Sequence, residues 1–193
     1  MKNIIFAIAI SAISLTACNN SSNKSDEANK MSDSSTPNEA ATSGADVKST
    51  SPINAILVSY LQMKNAFAKD NDKEAATAGN EMVKAFASFN AASLTAEKKK
   101  TFNDIRDDAK EHAEHIGMNA GNIKHQREHF DMLSKDMYDL VKAFGAGQTL
   151  YVDHCPMYND NKGATWLSET KEIKNPYLGK EMDTCGTIKE ELK

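Results

Sequence analysis

The sequence predicts an all-α domain, an up-down helical bundle followed by an irregular C-terminal segment that carries two cysteines and two methionines. Three observations lead there. Between Pro52 and Phe144, apolar residues recur at helical spacing in four stretches. Cap and turn residues separate the stretches, and the connections are short, as in an up-down bundle. Beyond Gly147 the periodicity stops, and Pro156, Gly163, Pro176, Gly179 and Gly186 fall at loop spacing.

Ahead of the bundle, Lys2 precedes an apolar run from Ile4 to Leu15 that only Ser11 and Ser14 interrupt. The run is shorter than the roughly 20 residues a membrane span needs. It ends in Leu15-Thr16-Ala17-Cys18, which is identified as the lipobox of bacterial lipoproteins. That resemblance implies a signal peptide over 1–17, cleavage before Cys18 and a diacylglyceryl group on the Cys18 thiol. The chain is then expected to be extracytoplasmic and lipid-anchored, on the outer membrane if the cell has one. Residues 18–51 are Asn, Ser, Thr, Asp, Glu, Lys and Ala for the most part, without aromatics. Such a composition cannot offset chain entropy by burial and reads as a disordered tether. Residues 52–193 then make one domain of ordinary size.

Within it, the first helix is expected over about Ile53–Lys69, with Ile56, Leu57, Tyr60, Met63, Lys64 and Phe67 near one face. Asp70-Asn71-Asp72 breaks it and offers an N-cap to a second, which carries Ala75, Ala78, Met82, Ala85, Phe86 and Phe89. Ser93 or Thr95 caps the third, with Glu97 in its first turn, where a negative charge suits the helix dipole. Its stripe is Phe102, Ile105, Ala109, His112 and Ile116. Gly117–Gly121 is a turn, and the fourth helix carries Ile123, Phe130, Leu133, Met137, Leu140, Val141 and Phe144 before Gly145 and Gly147. Tyr151-Val152 fits a short strand.

A formal net charge of −4 and no basic cluster argue against nucleic-acid binding. No phosphate loop, H-E-x-x-H or G-x-S-x-G occurs. His154 and Cys155 are adjacent, and neighbours on an extended chain point apart, so no activated nucleophile is expected. The chain reads as a non-enzyme.

The C-terminal segment has two matched ends, His154-Cys155-Pro156-Met157 and Met182-Asp183-Thr184-Cys185-Gly186. Thiolates and thioethers are soft donors that select Cu(I) or Ag(I). Cys155, Met157, Met182 and Cys185 would surround one such ion, with His129 or His154 adding an imidazole. The alternative is a Cys155–Cys185 disulfide, ordinary in an oxidising compartment, with the methionines packed on Trp166. The helical histidines form a second pattern. Folding the third and fourth helices about Asn119–Ala120 brings His112 level with His129 and His115 level with His125, and facing imidazoles suit Cu, Zn or Ni. From His129 to Phe144 a helix rises roughly 22 Å. A return from Gly147 to Cys155 spans roughly 26 Å, so the Cys-Pro-Met loop reaches the level of His129.

From about Ile53 to its end the chain resembles a bacterial domain family of unknown function. That family is common in Bacteroidetes lipoproteins and is also fused to periplasmic adaptor subunits of copper/silver efflux pumps. The resemblance rests on His125-Gln126-Arg127-Glu128-His129-Phe130 with Leu133-Ser134, and on Tyr151 with Cys155-Pro156-Met157. It continues through Gly163-Ala164, Trp166-Leu167-Ser168, Ile173, Asn175-Pro176-Tyr177-Leu178-Gly179, Met182 and Cys185-Gly186. Leu178 stands where the family often has Phe. Tyr151, Cys155-Pro156-Met157 and Cys185-Gly186 are also similar to the ends of short heavy-metal-binding domains of the same pumps. Here the Tyr lies one residue further from the Cys than expected, and no Met follows Gly186. The resemblance implies Cu(I) or Ag(I) as ligand and an efflux adaptor as partner. The other expectation is a disulfide-closed domain that docks an envelope or adaptor protein without metal.

Overall fold

The computed structural model describes residues 51–193; the leader, Cys18 and nearly all of the tether lie outside them. Four long helices come first: α1 (Asn54–Ala68), α2 (Asp72–Ser88), α3 (Ala96–Met118) and α4 (Ile123–Phe144). Their starts follow the cap residues. The side chains of Asn71, Thr95 and Asn122 accept hydrogen bonds from the amides of Glu74, Lys98 and His125, satisfying donors that a first turn leaves open. Gly145 ends α4 at φ +76°, a conformation that favours glycine.

Each helix packs on the next, and α1 also meets α4. The expected bundle is present. Its centre is aromatic, with Phe130 stacked on Tyr60 and tilted against Phe67, both at 5.1 Å between ring centroids. The α2–α3 approach is closest at Gly79. A Cβ there would lie 2.8 Å from the Ala113 carbonyl oxygen and 3.0 Å from the Gly117 amide. Both obstacles are backbone, so Gly79→Val should cost roughly 2–3 kcal/mol through overpacking. Urea unfolding checks this, and an unchanged midpoint would mean the two helices part freely.

The all-α expectation needs one correction. The C-terminal segment is not irregular but holds a three-stranded antiparallel sheet in the order β2-β1-β3, with β1 at Leu150–Cys155, β2 at Ala164–Ser168 and β3 at Thr187–Leu192. Asp153 pairs with Trp166 and Cys155 with Ala164, and a bulge interrupts the β1–β3 register at Val152/Asp153. The physical reason it escapes a periodicity reading is burial. Leu150, Val152, Asp153 and Cys155 are all buried, so β1 shows no polar–apolar alternation. β3 is an edge strand whose Lys189 and Glu191 are exposed and resembles a solvated charged run. Between β1 and β2 the backbone makes a turn in which Asn159, Asp160 and Asn161 have φ of +52°, +54° and +64°. Asn and Asp are the side-chain-bearing residues that tolerate this region best.

Side chains from the bundle hold the sheet. The Tyr60 hydroxyl accepts the Leu167 amide at 3.0 Å and shares a hydrogen bond with Ser134 Oγ at 2.9 Å. Burial holds its proton well above the usual phenol range. Buried Lys64 pairs with Glu169 at 2.8 Å, and Asn65 donates to the other oxygen of that carboxylate. Arg127 donates to the carbonyls of Phe67 and Pro176 and to Asp70, each at 2.7 Å. It thereby ties the loop before Gly179 to the end of α1. Gly179, at φ +55°, leaves no space for a Cβ against Asp70 and Arg127.

Candidate functional site

Two donor sets stand on the described residues. The first lies between α3 and α4. The sequence places His112 and His115 one turn apart on α3, and His125 and His129 one turn apart on α4. The turn at Asn119–Asn122 then folds the two pairs together. His112 Nδ1 and His129 Nδ1 stand 3.2 Å apart. The His115 ring stacks on His129, with centroids 4.2 Å apart and planes 9° from parallel. His125 meets His129 edge-on at 4.7 Å. One ligand nitrogen from each of His115, His125 and His129 lies within 4.8 Å of the other two.

Other polar groups stand near several of the ring nitrogens. His125 Nδ1 lies 3.5 Å from the Glu128 carboxylate and His115 Nε2 lies 3.9 Å from that of Glu111, without a hydrogen bond in either case. His129 Nδ1 is engaged by His112. A metal-ligating histidine is usually oriented by a hydrogen bond to its second nitrogen, and of the three only His129 has one, shared with His112. Burial, then the neighbouring imidazoles of His115, His125 and His112, push the His129 pKa down to about 4 against the pull of Glu128. Burial also lowers His112, with Glu111 and Asp108 opposing. The shift favours the neutral form of His129, the form in which an imidazole can ligate a metal. An ion lies in the plane of each imidazole it binds, so the stacked His115 and His129 rings must tilt apart to share one.

The second set is the sulfur pair. Cys155, buried at the end of β1, and Cys185, partly exposed just before β3, are free thiols with Sγ atoms 2.6 Å apart. Burial, then the hydrogen bond and charge of Cys155, push the Cys185 thiol up to about 11, against the Met157 amide that faces it. Metal–thiolate bonds are about 2.3 Å, so two thiolates on one ion stand roughly 3.5 Å or more apart. The pair must part to take an ion, whereas a disulfide bond is a short step inward. Met157 and Met182, two and three residues from the cysteines in sequence, are 50% and 37% exposed.

The structure therefore brings Cys155 and Cys185 together and keeps both methionines near them in sequence. It does not add a histidine. The His154 ring lies against Gly163, and its strand position points it away from the Cys155 side chain. His129 is level with the loop after Met157, since Tyr158 and Asp160 line a cleft with Lys124, Arg127 and Asp131 of α4. But at 100° per residue His129 is roughly 200° around the helix from Arg127 and from Asp131. It faces α3 with the other histidines. Chain reach gives the level of a residue and not its azimuth.

A buried ionisable residue that sequence reasoning missed is Asp153. It is fully buried, and neither carboxylate oxygen has a hydrogen-bond partner; Trp166 Nε1, on the paired residue, also has none. Burial pushes its pKa up to about 7, with Lys64 opposing. An Asp inside a run of strand residues gives no signal of its own.

Residues 56–149 match a family described as a protein of unknown function, DUF3347. The DUF3347 segment takes in most of α1, all of α2, α3 and α4, and all four helical histidines. It stops before β1, so Cys155 and Cys185 lie outside it. No curated protein and no solved structure matches the chain.

Proposed function

We propose that this chain is an extracytoplasmic lipoprotein, anchored through Cys18, whose helical domain binds a metal ion in copper or silver handling and passes it to an efflux adaptor. The observation that supports the ion-binding reading is the convergence of His115, His125 and His129, each offering one ring nitrogen within 4.8 Å of the other two. Imidazole accepts copper, zinc and nickel, and the likeness to domains fused to copper/silver pumps favours Cu(I) or Ag(I). Cys155, Cys185, Met157 and Met182 are a second, sulfur-based set that opens only when the thiols are reduced and drawn apart.

A competition titration of the mature protein against a Cu(I) chelator tests this. With the sulfur pair oxidised, the parent should still compete, and replacing His115, His125 and His129 by Ala should weaken binding by roughly a hundredfold or more. Replacing both cysteines by Ser should leave the competition nearly unchanged. The reverse pattern would move the site to the sulfurs. A parent that never competes would overturn the metal reading. The second reading, a disulfide-closed domain that docks an envelope or adaptor protein without metal, then takes its place; the 2.6 Å sulfur approach favours it.

A further inference from the structure

Six large apolar side chains are exposed among the described residues, and four of them are methionines: Met118, Met132, Met157 and Met182. Each of the four lies within three residues of a cysteine or histidine of the two donor sets. Met157 and Met182 lie near the cysteines in sequence. Met118 follows His115 by three residues on α3, and Met132 follows His129 by three on α4. Residues three apart share a helix face, and long side chains lean back over the preceding turn. Each of these methionines is therefore rooted one turn beyond a histidine of the triad, one on each helix, from where the backbone direction lets its side chain lean toward that histidine. Met118 is 72% exposed and Met132 is 38% exposed, so neither is there to fill the core. Met132 also borders the cleft beside Tyr158, and a methionine has the rotatable bonds to turn from one side to the other.

We propose that Met118 and Met132 are thioether donors of the His115/His125/His129 site and make it select monovalent Cu(I) or Ag(I) over Zn(II). This rests on the ion-binding reading above. Three imidazoles alone serve borderline ions of several kinds. A thioether is neutral and polarizable and adds binding for a soft ion, while Zn(II) gains little from it. The sulfur pair is not needed for this choice, because it lies on the other side of α4.

The test uses the mature full-length protein with Cys155 and Cys185 oxidised, titrated separately with Ag(I) and with Zn(II). Leu keeps the apolar bulk of Met without its sulfur. In Met118→Leu/Met132→Leu the Ag(I) affinity should fall about ten- to a hundredfold, and the Zn(II) affinity should stay within about twofold. The sulfur scatterer seen by X-ray absorption on the Cu(I)-loaded parent should be lost in the variant. Unchanged Ag(I) affinity, or an equal fall for both ions, overturns the inference while the imidazole site stands. A parent that binds neither ion overturns both. Both positions are exposed, and an unchanged helical spectrum verifies the fold of the variant.

Discussion

Reducing the Cys155–Cys185 pair is expected to lower the stability of the domain by about 3–4 kcal/mol, because the closed bond encloses a long loop. The two residues are 30 apart, and a ring of that size removes roughly this much free energy of chain disorder from the unfolded state. The loop also contains β2, the left-handed turn and the segment that Arg127 ties down, so its freedom is large only when the chain unfolds. Protein isolated from an oxidising compartment should show no titratable thiol when unfolded, and two after reduction. Urea unfolding with and without reductant measures the effect, and Cys155→Ser/Cys185→Ser should match the reduced parent. A midpoint that ignores reductant would show that packing alone fixes the two ends.

The second large effect concerns Asp153 and runs with pH. The folded-state pKa is raised to about 7 from an ordinary 3.8. Below about pH 4 the group carries a proton in both states and costs nothing. Between about pH 4 and 7 the unfolded chain releases that proton and the folded chain keeps it, so stability falls by about 1.4 kcal/mol per pH unit. Above 7 the loss levels off at roughly 4 kcal/mol. Asp153→Asn removes the titration. Its stability relative to the parent should therefore rise by about 3–4 kcal/mol between pH 4.5 and 7.5. Comparing the two proteins at each pH cancels the opposite slope of carboxylates such as Asp70 and Glu169, where burial pulls upward but hydrogen bonds and neighbouring cations outweigh it and hold the pKa low. A difference that stays constant across this range would mean that Asp153 is not held protonated.

What the sequence makes legible is what local chemistry decides. The helix starts follow Asn71, Thr95 and Asn122, and the end of α4 follows Gly145. The facing of His112 and His129 follows from counting residues outward from one turn. The count also levels His115 with His125, but in the structure their ring centroids are 6.1 Å apart and His115 stacks on His129 instead. Level along a hairpin leaves ring orientation free, and packing chooses it. The meeting of Cys155 and Cys185 is legible as two matched ends. Of the sheet only the short strand at Tyr151-Val152, inside β1, is legible; its extent and its partners are not, since β1 is covered on both faces and β3 is an edge with charged residues. The distance between His129 and the sulfur loop is lost for another reason. It depends on which side of α4 the returning chain takes, and that is set by Arg127, Tyr158 and Tyr177 in three dimensions.

The helices follow one another in space as they do along the chain, whereas β3 must find β1 across the whole of residues 156–186. Contacts of the first kind close small loops and form fast; those of the second close a large one and form late. Refolding of the reduced chain should accordingly show a rapid gain of helical signal, with Trp166 reporting a slower step as the third strand docks. An intact Cys155–Cys185 bond holds the ends of that loop together in advance and should quicken the slower step alone.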